Sequence, residues 1–439
     1  MVFFYLQNLY GGAQLSLLPY NNFEWVSPDV FKKINWKKIS TEDYSGYVLE
    51  VDLLYPPELF EKHSDFPLAP ENIEINYNHL SPYSQKALRD LDNKKVYKDR
   101  KLVGTFHTRH NYVIHFKNLK LYLELGMKLV KIHKCIKFHQ KDFIAPFIEK
   151  CTKFRQLAKT KFEQDQFKKV ANCVYGKTIQ NQRNHVIVKL HTNIKSYRRS
   201  VSDSSFKFFT IIGENLVQTT HSQQEIKHDK PIYAGFSILE LSKHFMFDFF
   251  YNKLCKDLPC RLELGMSDTD SLLFKVSNAK LFRRHVHKFM DYSNYPSNHP
   301  FFSMKNKSKL GFFKDELAGK YLCTEFIGLK SKCYGMNLKD LTLPRTFTNK
   351  KVCKGLGRLA IKNRLQFEHY KQCLLKNIPK RLDFHVISSR KHKITTKRVN
   401  KKALTHFDSK RYIFSCGIHS EPYGSNLLKY KCKKCKNIY

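Results

Sequence analysis

Acidic side chains are scarce in this chain: 38 Asp and Glu stand against 78 Lys and Arg, a formal net charge of +40 over 439 residues. A balance so one-sided favours a polyanionic partner, with nucleic acid foremost. Long apolar runs are missing as well. No window approaches about 18 uninterrupted apolar residues, which excludes a membrane-spanning helix, and no N-terminal signal pattern is present. The 12 cysteines are scattered without the spacing of a disulfide framework. They read as mostly reduced, buried thiols of an intracellular protein, cytoplasmic or nuclear. There is no internal repeat and no Gly/Ser linker long enough to separate independent domains, so the expectation is one assembly of subdomains with helices and strands mixed throughout.

What is present argues for a folded core. Hydrophobic residues make up 42% of the chain and 35 are Phe, too many for a histone-like basic tail. The charge is also unevenly placed. Residues 41–100 carry 12 Asp/Glu and 7 Lys/Arg, whereas 339–439 carry 26 Lys/Arg and 5 Asp/Glu. The last quarter thus holds +21 of the +40. A one-sided excess interleaved with aromatics suits a phosphate backbone better than an ordinary solvated face, and makes binding salt-dependent.

Two motifs carry chemistry. In the first, Leu262, Leu264 and Met266 alternate with Glu263, Gly265 and Ser267, a period-two strand signal. The apolar run Leu272, Leu273, Phe274 resumes after Asp268-Thr269-Asp270, predicting a hairpin with two carboxylates at its tip. Such a pair repels itself unless a cation or proton relieves it, and Mg²⁺ takes carboxylate oxygens beside substrate phosphates. A D-x-D alone is usually a polar turn; one set between two apolar strands is sharper. The second motif is Lys161 to Gln180, read as a helix. At the helical period, Lys161, Lys168, Asn172 and Tyr175 fall within about 40° of one line. Two ammonium groups, an amide and a phenol suit a triphosphate and a base pair, although an isolated basic face would read as plain surface. Gly176, unusual inside a helix, predicts a close approach by another group.

These residues resemble the motifs of family B DNA polymerases. Lys168-x3-Asn172-Cys173-Val174-Tyr175-Gly176 resembles K-x3-N-S-x-Y-G, with Cys173 in place of Ser. Asp268-Thr269-Asp270-Ser271 resembles the palm D-T-D-S, and Lys332-Cys333-Tyr334 the K-x-Y that holds a primer end. Their order, with spacings of 100 and 64 residues, resembles the protein-primed branch of phage, adenovirus and linear-plasmid enzymes and of Maverick/Polinton-type mobile elements. The mobile-element group fits best, on Gly46-Tyr47-Val48-Leu49-Glu50-Val51-Asp52, Pro67-Leu68-Ala69-Pro70-Glu71, Tyr122-Leu123-Glu124-Leu125-Gly126-Met127 and Phe407-Asp408-Ser409-Lys410-Arg411-Tyr412. The resemblance runs from about residue 5 to 428.

It implies an α+β right-hand fold with an antiparallel-sheet palm, helical fingers and a basic thumb. Residues 1–40 and 231–339 would be palm, and 41–125 an insertion that contacts a terminal protein primer. Fingers would span 126–185, a second insertion linked to processivity 186–230, and the thumb and C-terminal tail 340–439. The implied activity is DNA-directed addition of dNTPs to a primer 3′-OH on primer–template DNA, using two Mg²⁺ ions, with Mn²⁺ as a substitute. Asp270 would ligate the metals, supported by Asp268. Lys168 and Asn172 would meet the triphosphate, Tyr175 the nascent base pair, and Tyr10 would exclude a ribose 2′-hydroxyl. Lys332 and Tyr334 would position the primer end. Arg155 sits where the family has a second basic phosphate ligand, while helix geometry points to Lys161 instead.

The sequence departs from the family at one decisive place. The first palm motif, D-x-N-N-L-Y-G, aligns with Gln7-Asn8-Leu9-Tyr10-Gly11, but its aspartate position is Tyr5. A phenol cannot bridge two divalent ions as a carboxylate does. Asp52 lies three residues before its tyrosine rather than five and is a decoy. The chain also begins at this motif, so the upstream 3′–5′ exonuclease domain is expected to be absent. An inactive DNA- and nucleotide-binding remnant is therefore the alternative function; a generic basic scaffold does not explain three ordered motifs.

Cys416-x2-His419-x12-Cys432-x2-Cys435 has the spacing of a zinc site, although its last pair lies in a lysine-rich tail. His107, His110 and His115 join no site by spacing.

Overall fold

The computed structural model describes residues 1–92, 95–343, 345–390 and 393–426. At its centre is a five-stranded sheet, ordered Leu262–Asp268, Ser271–Val276, Val2–Leu6, Phe313–Asp315 and Met290–Asp291. The first strand is thus the middle one, antiparallel to Ser271–Val276 on one side and to Phe313–Asp315 on the other. Successive side chains of a strand face opposite ways. Phe4 and Leu6 accordingly enter the large core with Leu272 and Phe274, whereas Phe3 enters a second core with Leu273, Tyr334 and Met336.

A four-stranded sheet, ordered Leu18–Trp25, Lys128–Lys141, Ser45–Leu54 and Arg109–His115, flanks the centre. The stretch 126–185, expected to be helical, therefore opens with a long strand. Val130, Ile132, Ile136 and Phe138 favour an extended chain, and pairing on both edges fixes it. The two helices expected there follow: Ala145–Leu157 and Lys161–Thr178. The second starts at a capping box, with Thr160 Oγ1 accepting from Glu163 N–H and the Glu163 carboxylate accepting from Thr160 N–H. Residues 186–222 form a three-stranded sheet around helix Ile194–Val201, closed by hydrogen bonds among His191, Ser200, Thr219 and His221.

Beyond the centre, Tyr321–Lys330, Cys333–Asp340 and Phe347–Cys353 make a three-stranded antiparallel sheet. A two-stranded ribbon, Lys380–Arg390 with Lys393–Leu404, exposes Arg381, Arg390, Lys397, Arg398 and Lys401 to solvent. Cys135, Cys151, Cys323, Cys333, Cys353 and Cys373 are buried thiols, as the sequence suggested. No helix among the described residues is long and apolar enough to cross a membrane.

Candidate active site

The hairpin forms as read. Leu262–Asp268 pairs with Ser271–Val276, and Thr269 at the tip takes a left-handed φ of 58°. Of the two carboxylates, Asp268 is the one held by an ion pair. Lys332 donates to both oxygens of Asp268, at 2.6 and 2.7 Å. Lys332 itself has a φ of 57° in the tight turn between Tyr321–Lys330 and Cys333–Asp340. Asp270 is partly buried, and its carboxyl lies above the usual range. Burial is the main cause, and the Asp268 and Glu316 charges add to it, while its own backbone N–H and Lys168 pull the other way.

Tyr5 stands directly beside this pair: its Cα pairs with Ser271 and with Lys314, and Leu6 N–H donates to Asp270 O at 2.7 Å. Burial, then the charges of Glu316, Asp291 and Asp270, push the Tyr5 phenol up to about 12, against the opposing Arg155. At neutral pH position 5 is therefore a neutral phenol. The strand is pinned just beyond it, where Gln7 Nε2 donates to Asp291 Oδ2 at 2.6 Å and Lys314 pairs with the same carboxylate at 3.2 Å.

Tyr10 reaches the site through a turn that the sequence explains. Asn8 adopts a left-handed φ of 48°, and its amide folds over Gly11, where a Cβ would come within 2.1 Å of it. The short helix Leu9–Gln14 then packs, with helices Ala145–Leu157, Lys161–Thr178 and Ile232–Asp248, on a core of Ala13, Ile148, Ala171, Ile238 and Leu241. That core brings Tyr10 onto Tyr175: the rings stack with centroids 4.6 Å apart at 11°. Both phenols are raised chiefly by burial; next, Asp270 acts on Tyr10 and Tyr10 acts on Tyr175.

The remaining candidates separate. Lys168 and Arg155 face the carboxylate end of the site, as their electrostatic effects on Asp270 and Tyr5 record. Lys161 instead pairs with Asp165 at 3.3 Å on an exposed turn. Asn172 Oδ1 is buried without a protein partner. Tyr334 is buried, its phenol pushed up to about 12 by burial and then by Glu316 and Asp268. An added Cβ at Gly176 meets no protein atom outside its own helix within 4 Å, so no protein group makes the close approach expected there. Asp52 belongs elsewhere, bonded to His133 at 2.8 Å and to Asn111 N–H. His110 lies 3.9 Å from that same carboxylate, and His115 is buried in the core, its ring driven down to about 3 by desolvation. Cys416 and His419 lie far along the chain on a hairpin loop, and Cys432 and Cys435 are outside the described residues.

Glu316 is the residue that sequence reasoning missed. Its backbone N–H donates to Phe3 O at 2.8 Å, continuing the pairing of Phe313–Asp315 with the first strand. Its carboxylate acts on Tyr5, Asp270 and Tyr334 alike and lies 3.6 Å from Lys350 Nζ. Asp315, next to it, turns inward to Tyr295 and the Leu317 N–H. Only the pairing of two strands 300 residues apart separates these two acids, and no local signal does.

A two-ion centre needs several carboxylates converging on open coordination sites. Here Asp268 gives both oxygens to Lys332, and position 5 offers a neutral phenol. Among the described residues no three His, Cys, Asp or Glu side chains are grouped to hold a metal ion. The donor set does not fit a pair of Mg²⁺ ions.

The mixed architecture of helices and largely antiparallel sheets is similar to a DNA polymerase fold. Solved structures of phi29 DNA polymerase are similar to it. The orthorhombic crystal form aligns with a TM-score of 0.53 at 14% identity, over 92% of this chain and 58% of that one. The ternary complex with primer–template DNA and incoming nucleotides aligns with 0.53 at 14% identity, over 92% and 57%. The post-translocation binary complex with primer–template DNA gives 0.51 at 14% identity, over 91% and 57%. This chain therefore spans under three fifths of the length of that polymerase. At such identity the likeness establishes the fold. No protein-family model matches the sequence, and no curated protein sequence matches it.

Proposed function

We propose that this chain is, by descent, a DNA-directed DNA polymerase of the protein-primed family B branch, built to hold primer–template DNA and an incoming dNTP. The observation that carries this reading is the Tyr10–Tyr175 stack standing beside Asp270 and Lys168 on a fold shared with phi29 DNA polymerase. Three separate stretches of sequence, chosen for their resemblance to one site, converge there.

On this reading residues 1–40 and 231–339 are palm, 126–185 fingers, and 340–439 a thumb that grips duplex phosphates. Residues 41–125 and 186–230 are the two insertions, the first facing a terminal protein primer. Lys168 and Arg155 neutralise the triphosphate, with Lys161 left to the surface. Asn172, whose side-chain oxygen is buried without a protein partner, would meet the triphosphate. Tyr175 and Tyr10 pack on the base and sugar. Lys332 and Tyr334 set the primer end, Lys332 leaving Asp268 to do so. The open space at Gly176 leaves room for the template strand. The mobile-element affinity rests on the sequence stretches alone.

Transfer chemistry divides two readings. Tyr5 and the Asp268–Lys332 pair favour a DNA- and nucleotide-binding protein without transfer activity. Primer extension by the purified chain with Mg²⁺ or Mn²⁺, beside binding of the same primer–template, tests both. Extension that Asp270→Ala abolishes supports the polymerase; tight binding without extension supports the binding protein. Binding no tighter than to any polyanion, unaffected by dNTP, would remove both.

A further inference from the structure

Two buried thiols face each other across the sheet that carries Lys332. Cys333 opens strand Cys333–Asp340, Cys353 ends strand Phe347–Cys353, and the two are direct partners in the antiparallel register. One step further along, Lys354 N–H donates to Lys332 O at 3.0 Å. Hydrogen-bonded and non-hydrogen-bonded pairs alternate along an antiparallel ladder, so Cys333 and Cys353 form a non-hydrogen-bonded pair. Such pairs bring their Cα atoms to about 4.5 Å, inside the range of roughly 4.4–6.8 Å that a disulfide spans. Both side chains enter one core with Cys373, Leu365 and Tyr370. There the Cys333 S–H donates to Cys353, and the Cys353 Sγ lies 3.0 Å from Ala403 O. Lys330, fixed by its bond to Thr405 Oγ1 at 2.9 Å, exerts its positive charge on both sulfurs. Cys373 is buried nearby but lies on helix Phe367–Leu375, outside the register that sets the pair.

We propose that Cys333 and Cys353 are a reversible dithiol–disulfide pair, oxidised by a small hydroperoxide, that stiffens the turn carrying Lys332. The two residues are only 1% and 5% exposed, which restricts access to an oxidant of hydrogen peroxide's size. Cys353 is the nucleophile. The hydrogen bond from Cys333 holds its thiol below the usual cysteine range, and Lys330 and Lys401 add to this against burial. Its thiolate attacks one peroxide oxygen, the O–O bond breaks, and the sulfur becomes a sulfenic acid. The Cys333 sulfur then displaces the sulfenic hydroxyl, which leaves as water with the Cys333 proton. Two thiols are thereby oxidised to one disulfide, and one hydrogen peroxide is reduced to two waters. A dithiol reductant reverses the step by exchange.

Cys333 follows Lys332 directly, and Lys332 gives its ammonium to both oxygens of Asp268. A covalent bond at the next residue hinders Lys332 in leaving that carboxylate. This consequence rests on the proposed role of Lys332 at the primer end.

The test treats the reduced full chain with hydrogen peroxide, alkylates the remaining thiols and maps its peptides without reduction. A linked peptide joining Cys333 to Cys353, lighter than its two parts by two hydrogens and separated again by dithiothreitol, is expected. Cys373→Ser keeps that peptide and Cys353→Ser loses it. In anisotropy titrations, oxidation should weaken primer–template binding at least about fivefold, reversibly, and Cys353→Ser should not respond. No linked peptide from the parent chain, or one that joins Cys333 to Cys373 instead, overturns the pair, and this map needs no variant to fold. A linked peptide with equal affinity in both redox states overturns the stiffened turn. A reduced chain that binds no primer–template removes the functional reading, while the linked peptide still supports the thiol pair.

Discussion

Tyr5 lies between Ser271 and Lys314 in the central sheet, one residue in register from Asp270, and its phenol is held at about 12. That register puts any side chain at position 5 against the hairpin carboxylates. Tyr5→Asp is therefore expected to supply the missing donor and to raise primer extension with Mg²⁺ by at least about tenfold, measured on the same primer–template as the parent. An unchanged rate would mean that position 5 does not limit the chemistry. Asp270 gives a second outcome, in stability. Its pKa is raised in the fold, so the native state binds the proton more tightly than the unfolded chain. Stability is then lost as pH rises through the range above the ordinary aspartate value of 3.8. Asp270→Asn should raise the melting temperature at pH 7, and the gain should shrink as pH approaches 3.8. A gain equal at both pH values would place its origin outside this carboxyl.

Among elements, helix Lys161–Thr178 rests on a capping box at one exposed end. Thr160→Ala removes an acceptor for the Glu163 N–H and should cost about 1 kcal/mol, read from the midpoint of urea unfolding at constant slope. This helix and the hairpin were legible because each signal is local: a 3.6-residue face in one, strict alternation around D-T-D in the other. What makes them a site was less legible. Tyr10 and Tyr175 stack through a core shared by four helices, and the first strand lies at the sheet's centre because of partners about 270 and 310 residues away. The family resemblance supplied the first strand's role; the residues alone did not. Glu316 and the strand Lys128–Lys141 escaped for the same reason, since burial and direction there follow from long-range pairing.

At the scale of the whole molecule, the charge map and the architecture agree. The ribbon Lys380–Arg390 with Lys393–Leu404 presents its basic side chains to solvent, within the quarter of the sequence that carries +21. Affinity for duplex DNA should fall at least about a hundredfold between about 50 and 200 mM salt. Neutralising Arg390, Lys397 and Arg398 together should flatten that slope in fluorescence anisotropy titrations. A slope that stays the same would move the contact surface away from the ribbon.

The Tyr10–Tyr175 stack has a kinetic consequence. Parallel rings at 4.6 Å leave no gap for a third aromatic plane between them. A base that takes its place on Tyr175 must wait for the pair to part, so arrival becomes an encounter followed by an isomerisation. In stopped flow the observed rate should then level off with rising nucleotide concentration, at a plateau set by how often two tyrosines separate.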